Sequence, residues 1–370
     1  MAFTLVSSAV MTHPRRLEQA ERIAAELGLD AVVVDPAPDD APSALRTAIA
    51  AWASVRPGAS HHLVVQDDLA GPAGLTELVR RSAARHPDEA LAFYTHWNSR
   101  NGAAVRLAAL AGASWVRAVP EEFTPTLAVS LPTATADEFG RHAVASADRH
   151  DDEVLSQVLR RTGRMSLLAV PNLVQHVGTA SLTGHDVSQG LRRAACLVDA
   201  PEVAGWLESG PVLDAVDGLP YLRLGHAHLR VDALAAEPQR RGHSLWWEAL
   251  PHLGIEPDRV LQLVDERRPV ALGAEVSRLF GAAFATELWI HCLLVGLQAP
   301  RLARPAEGGF DALGRRLRAA AVATIGIAGL PPESRATVTA GQVSLLTRYA
   351  WSAIRLGPLL RARTGTATGQ

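Results

Sequence analysis

Lysine is missing altogether: all 36 basic residues of the 370 are arginine. That excludes a Schiff-base lysine, which needs a primary amine nucleophile, and a phosphate-loop lysine, which needs a compact ammonium on a flexible stem. Cysteine is nearly absent. Cys196 and Cys292 are the only two, far apart and outside any C-x-x-C spacing, so neither a disulfide framework nor a cysteine zinc site is implied, and the chain reads as reduced and cytoplasmic. Charge of one sign is also scarce. The 36 basic and 38 acidic residues nearly cancel, for a formal net charge of −2, and no long single-sign run is present. This argues against a nucleic-acid or anionic-membrane partner. No apolar run reaches the roughly 20 residues of a membrane-spanning helix. The longest candidate, Leu288 to Leu297, carries His291 inside its surroundings of Leu and Val, so no membrane span is expected. The opening AFTLVSSAV lacks the basic flank of a signal peptide and suits a first strand better.

What is present is enough apolar residue, 48% of the chain, to bury a sizeable core, over a length that suits about two domains. The first half alternates strand-like and helix-like segments in the βαβ manner. Phe3 to Val6 reads as a first strand. Leu17, Ala20, Ile23, Ala24 and Leu27 form a helical stripe closed by Gly28. Ala31 to Val34 is a second strand ending at Asp35. Ser43 caps a helix through Trp52, and His61 to Gln66 is a third strand. Leu91 to Tyr94, Thr126 to Ser130 and Ser166 to Val170 are further strand candidates. Thr135 with Glu138 has the spacing of a capping box, and Asp151 can cap the helix carrying Val154, Leu155, Val158 and Leu159. The stretch His96 to Gly102, HWNSRNG, reads as a polar, aromatic loop of the kind that lines a site, with Trp97, Asn98 and Arg100 as the side chains it offers. Beyond about Gln189 the pattern turns mainly helical. Tyr221 to Val231 is the one strand candidate there. His226 and His228, two apart, would share a strand face but have no third ligand at a metal spacing.

The stretch HHLVVQDDLAGPAGL, His61 to Leu75, places two carboxylates, Asp67 and Asp68, where a buried strand ends. In open α/β sheets ligands bind at that edge. By themselves the two acids fit a metal site, a helix cap or a solvated turn. Their surroundings add to this. MTHPRR follows the first strand, Asp35 ends the second, TLAVSLP forms a later strand, HDDEVL opens a helix, and PNLVQHVG comes last. In this order the chain, over about residues 1–182, resembles the GT-A-fold, nucleotide-sugar-dependent glycosyltransferases, most of all small bacterial enzymes that modify lipopolysaccharide and related glycans.

The resemblance implies a GT-A-like, Rossmann-like α/β domain with a mostly parallel sheet flanked by helices over residues 1–190. A mainly α-helical C-terminal region, 191–370, follows with no assigned role. It implies transfer of a sugar from a UDP- or GDP-sugar donor to an acceptor, with Mn²⁺ or Mg²⁺ on the diphosphate. A divalent ion stabilises the negative charge that grows there as the sugar–phosphate bond breaks. Carried over by position, Asp68 is a metal ligand and Asp67 a contact to ribose or sugar. Gln66 departs from the family pattern by replacing the first acid of the motif and removing one charge. His176, in Gln175-His176-Val177-Gly178, returns to the metal or diphosphate, and Gly178 lets backbone approach the phosphates. Ser181 would add a hydroxyl. Asp152, with Asp151 as the alternative, is the base that takes the acceptor hydroxyl's proton in an inverting reaction. Thr12, His13, Arg16 and Asp35 lie where such enzymes hold the nucleotide. Two rivals compete. One is a non-catalytic GT-A-like module whose helical half recruits a protein partner. The other is a nucleotidyltransferase, disfavoured because MTHPRRLEQ has no glycine-rich loop.

Overall fold

A computed structural model describes residues 4–177, 190–234, 244–302 and 311–361. The centre is an eight-stranded sheet. Its strands are β1 (Val6–Thr12), β2 (Ala31–Val34), β3 (His61–Gln66), β5 (Ala90–Ala92), β6 (Trp115–Arg117), β7 (Ala128–Pro132), β8 (Ser166–Ala169) and β10 (Val212–Leu213). They lie side by side in the order β10-β6-β8-β5-β7-β3-β1-β2. Two short strands, β4 (Leu69–Ala70) and β9 (Gln175–His176), pair with each other outside it. The sheet is α/β and mixed, with parallel pairs in the majority. β7 runs antiparallel between β3 and β5, and β6 runs antiparallel to β8.

Helices α1 (Leu17–Leu27), α2 (Ala44–Trp52), α3 (Leu75–Arg85), α4 (Arg100–Ala111), α5 (Thr133–Ala143) and α6 (Asp151–Arg161) connect the strands. Helix α1 buries Ala20, Ile23, Ala24 and Leu27, and Gly28 closes it in the left-handed conformation at φ 67°, where a side chain would be strained. Ser43 caps α2 by accepting from the Arg46 amide. Two capping expectations fail. Helix α5 starts at Thr133, so Thr135 lies within its first turn, and α6 starts at Asp151 with His150 as the flanking residue and no side-chain cap. The first strand runs Val6–Thr12, beyond the expected end at Val6, with Ser7 and Ser8 buried in the sheet, and Phe3 lies outside the described residues.

Beyond residue 190 come α7 (Val203–Ser209), the hairpin β11 (Gly218–Arg223) and β12 (His226–Val231), then α8 (Trp246–Ala249), α9 (Pro257–Arg267), α10 (Val270–Phe280), α11 (Ala282–Leu302), α12 (Asp311–Ala328), α13 (Pro332–Arg335) and α14 (Ala340–Ile354). Tyr221 to Val231 is thus two strands, turned at Leu224 and Gly225. The expected division at 190 does not coincide with the edge of the sheet, which takes β10 from beyond it. Helix α4 joins the two halves: every residue from Asn101 to Ala111 is buried, between the sheet and helices α11 and α12. Helix α11 holds a 19-residue stretch long and apolar enough to cross a membrane, but 78% of that window is buried, packed by α4, α10, α14 and the hairpin. That is the environment of a core helix.

Candidate active site at the carboxyl edge of the sheet

The strand directions bring distant residues to one edge. Strands β1, β2 and β3 are parallel and end at Thr12, Val34 and Gln66, and Arg16, Asp35, Asp67 and Asp68 follow directly. Antiparallel β7 enters at the same edge through Thr126 and Leu127, and β5 leaves there toward Tyr94 and His96. Strand β8 leaves there too, and its chain returns as β9. Two linked clefts result. One, of about 160 Å³, is lined by Thr12, His13, Arg16, Asp35, Asp67 and Asp68. The other, of about 360 Å³, is lined by Tyr94, His96, Thr126, Asp151, Asp152 and His176. Gln66, Ala44 and Arg192 face both.

The β4–β9 pair sets Leu69 opposite His176, and the Val177 amide donates to the Asp68 carbonyl at 2.8 Å. This brings His176 Nε2 to 3.2 Å from Asp68 Oδ2, both side chains being buried. The contact is not aligned as a hydrogen bond, and among the described residues Asp68 Oδ1 and both ring nitrogens of His176 have no hydrogen-bond partner. Burial favours the neutral form of Asp68, but the His176 contact and the charges of His176, Arg192 and Arg16 outweigh it and hold the carboxyl below its ordinary range.

Asp67 is satisfied differently. Thr12 Oγ1 donates to its Oδ2 at 2.5 Å, Arg16 Nη1 donates to Oδ1 at 3.0 Å, and Gln19 Nε2 donates to its backbone carbonyl at 2.6 Å. Burial still raises its pKa against these bonds. Arg16 also stands 3.6 Å from Asp68 Oδ2, so it braces the carboxylate pair rather than lying on a helix surface. Asp35 lines the first cleft, but both its oxygens accept from Arg46, at 2.7 Å each, and this fork pulls its pKa down. His13 Nδ1 accepts from the Arg15 amide at 3.2 Å and closes the turn after β1.

On the far side, Asp151 and Asp152 open α6 into the second cleft. Acids in a first helical turn are ordinarily eased into their charged form by the helix dipole. Here burial dominates: both carboxyls are pushed up, Asp152 to about 7, helped by the charge of Asp151. An acid poised near neutrality is suited to accept a proton at physiological pH. Trp97, by contrast, is core, its carbonyl taken by Arg106 at 2.6 Å. Asn98 and Arg100 face a separate cavity of about 860 Å³, and Arg100 is paired with Glu122 at 2.5 Å. His228 stacks on Tyr221 at 5.1 Å, with its Nδ1 3.1 Å from the Ser244 carbonyl. Gly178 and Ser181 lie outside the described residues.

Sequence reasoning does not reach Tyr94, His96 or Arg192. Only the loop character of HWNSRNG points toward His96, whose buried Nε2 has no partner among the described residues. Burial and the charges of Arg335 and Arg192 take His96 down to about 3, so its ring is neutral.

Among the described residues no group of three or more His, Cys, Asp or Glu could by itself hold a metal. The Asp68–His176 pair nonetheless fits part of a coordination shell. Two ligand atoms about 2.1 Å from one ion, at right angles, lie about 3 Å apart, close to the 3.2 Å observed. Orphaned buried atoms on both residues await a partner. A nucleotide-bound Mg²⁺ or Mn²⁺ needs only one or two protein ligands, because phosphate oxygens and water complete its shell. Comparison with protein-family models and with curated proteins finds no match for this chain.

Proposed function

We propose that this chain is a metal-dependent glycosyltransferase that moves a sugar from a UDP- or GDP-sugar to an acceptor hydroxyl. The observation that carries the reading is the meeting of Asp68 and His176, 3.2 Å apart, where a polar cleft joins one bearing a carboxyl with a pKa of about 7. Asp68 and His176 would hold Mn²⁺ or Mg²⁺. The ion would neutralise charge on the departing diphosphate. Asp67, fixed by Thr12 and Arg16, faces the ribose or the donor sugar. Asp152 takes the proton of the acceptor hydroxyl as that oxygen bonds the anomeric carbon. The sugar–phosphate bond breaks and its electron pair leaves on the diphosphate. Asp152 acts this way in an inverting reaction.

Release of UDP or GDP from a panel of nucleotide sugars, with water as the default acceptor, tests the reading. Nucleotide release should require Mn²⁺ or Mg²⁺, stop on chelation, and fall at least about 100-fold in Asp68→Asn. Release that ignores both chelator and substitution would refute it. A binding module without turnover predicts metal-dependent donor affinity and no release with any acceptor.

A further inference from the structure

Arg192 is the first charged side chain past the stretch 178–189, and it reaches the confluence of the two clefts. The backbone of Arg192 and its two following residues is stitched in place. Tyr94 Oη donates to the Arg192 carbonyl at 2.8 Å, the Trp97 amide to the Arg193 carbonyl at 2.9 Å, and the Ala194 amide to Gln175 Oε1 at 2.7 Å. This arginine is therefore built into the floor of the site. Among the described residues its buried Nε has no hydrogen-bond partner and its guanidinium forms no ion pair. The other arginines that line the first cleft or support it are engaged: Arg16 on Asp67 and Arg46 on Asp35. An arginine fork left unpaired beside buried polar groups is matched by a planar or tetrahedral oxyanion, which it binds through two N–H groups. His96, neutral and with a buried Nε2 lacking a partner, opens onto the same space.

We propose that Arg192 is a phosphoryl-binding residue that grips the diphosphate in the cleft it shares with Arg16, so that the chain beyond residue 190 supplies part of the donor site. The proposal rests on the reading of the clefts as a diphosphate site, but not on metal or turnover, because the guanidinium acts by charge and hydrogen bonding alone. Asp68 should oppose it in the absence of metal, since a carboxylate repels the same anion.

The test is binding of inorganic pyrophosphate to the full chain by calorimetry, first in chelator and then with Mg²⁺. In chelator, Arg192→Gln should weaken binding about 10- to 100-fold, the worth of one charge-assisted contact. Arg192→Lys, which keeps the charge and loses the fork, should weaken it less, and Asp68→Asn should strengthen it. Wild-type affinity in Arg192→Gln overturns the proposal. Should Arg192→Gln not fold, wild-type affinity in Arg192→Lys, or weaker binding in Asp68→Asn in chelator, overturns it. If nucleotide sugars are never turned over but these pyrophosphate effects hold, the transferase reading fails and the Arg192 site stands.

Discussion

Replacing Asp152 by Asn should make the protein more stable at neutral and alkaline pH while abolishing the proposed sugar transfer. The folded state raises this carboxyl from 3.8 to about 7, first by burial and then by the charge of Asp151. A shift of about three units corresponds to about 4 kcal/mol between the two protonation states. A folded pKa above the unfolded value means that the native state binds the proton more tightly. The native state therefore has its full stability below pH 3.8 and loses it progressively as pH rises through about 7. Asn keeps the shape and, through Oδ1, the bond from the Glu153 amide that Asp152 accepts at 2.9 Å, but has no charge to bury. Urea denaturation should give equal stabilities for wild type and Asp152→Asn near pH 4, with the variant ahead by about 2–4 kcal/mol at pH 8. Transfer by the wild type should rise through pH 7 as Asp152 ionises, and the variant should stay inactive throughout. A variant no more stable than wild type at pH 8 would refute the claim that burial strains this carboxylate for catalysis.

Two further outcomes follow from other contacts. Asp35→Asn should cost about 1–3 kcal/mol at pH 7, because its charged fork with Arg46 is lost. Since the folded pKa of Asp35 is depressed, that contribution exists above 3.8 and fades as pH falls below it, so wild-type and variant urea midpoints should converge toward pH 2. Gly102→Ala should destabilise by about 1–3 kcal/mol in thermal or urea unfolding, because the new Cβ would collide with the His96 carbonyl oxygen where Ser99 caps α4. The same variant should impair transfer, as that turn carries His96 into the cleft; unchanged stability would show that the turn has room to yield.

The elements that sequence reading locates are those with a period to read. Helix α1 shows its stripe, and β2 and β3 show short apolar runs ended by Asp35 and by Gln66-Asp67-Asp68. What it loses has no such period. Helix α4, RNGAAVRLAALA, is buried on every face past Arg100, so no polar side marks it as a helix and its start merges with the preceding loop. Strands β4 and β9 are two residues each, too short for alternation to register, although their pairing sets His176 against Asp68. Strand β10 gains its place in the sheet from pairing with β6, roughly a hundred residues earlier in the chain, and nothing local in Val212–Leu213 announces it. For the site, the acids are visible because they end strands. Arg192 is not, because its significance lies in Tyr94 and Asp68, which meet it only in the fold.

Gln66, where the glycosyltransferase pattern has an acid, now takes a physical meaning. Its Nε2 donates to Thr126 Oγ1 at 3.2 Å, a bond that a carboxylate could not donate, and it sits between the two clefts. Around it Asp67 and Asp68 are balanced by Arg16 and Arg192, while Asp35 is balanced by Arg46. A third acid at position 66 would tip this edge negative and repel the diphosphate it is proposed to receive. With glutamine there, a divalent cation arriving with the proposed nucleotide donor would bring the positive charge that a leaving diphosphate requires. The missing acid is therefore consistent with a site that draws part of its positive charge from arginine, and Gln66→Glu should weaken pyrophosphate binding in chelator while leaving Asp68 and His176 in place.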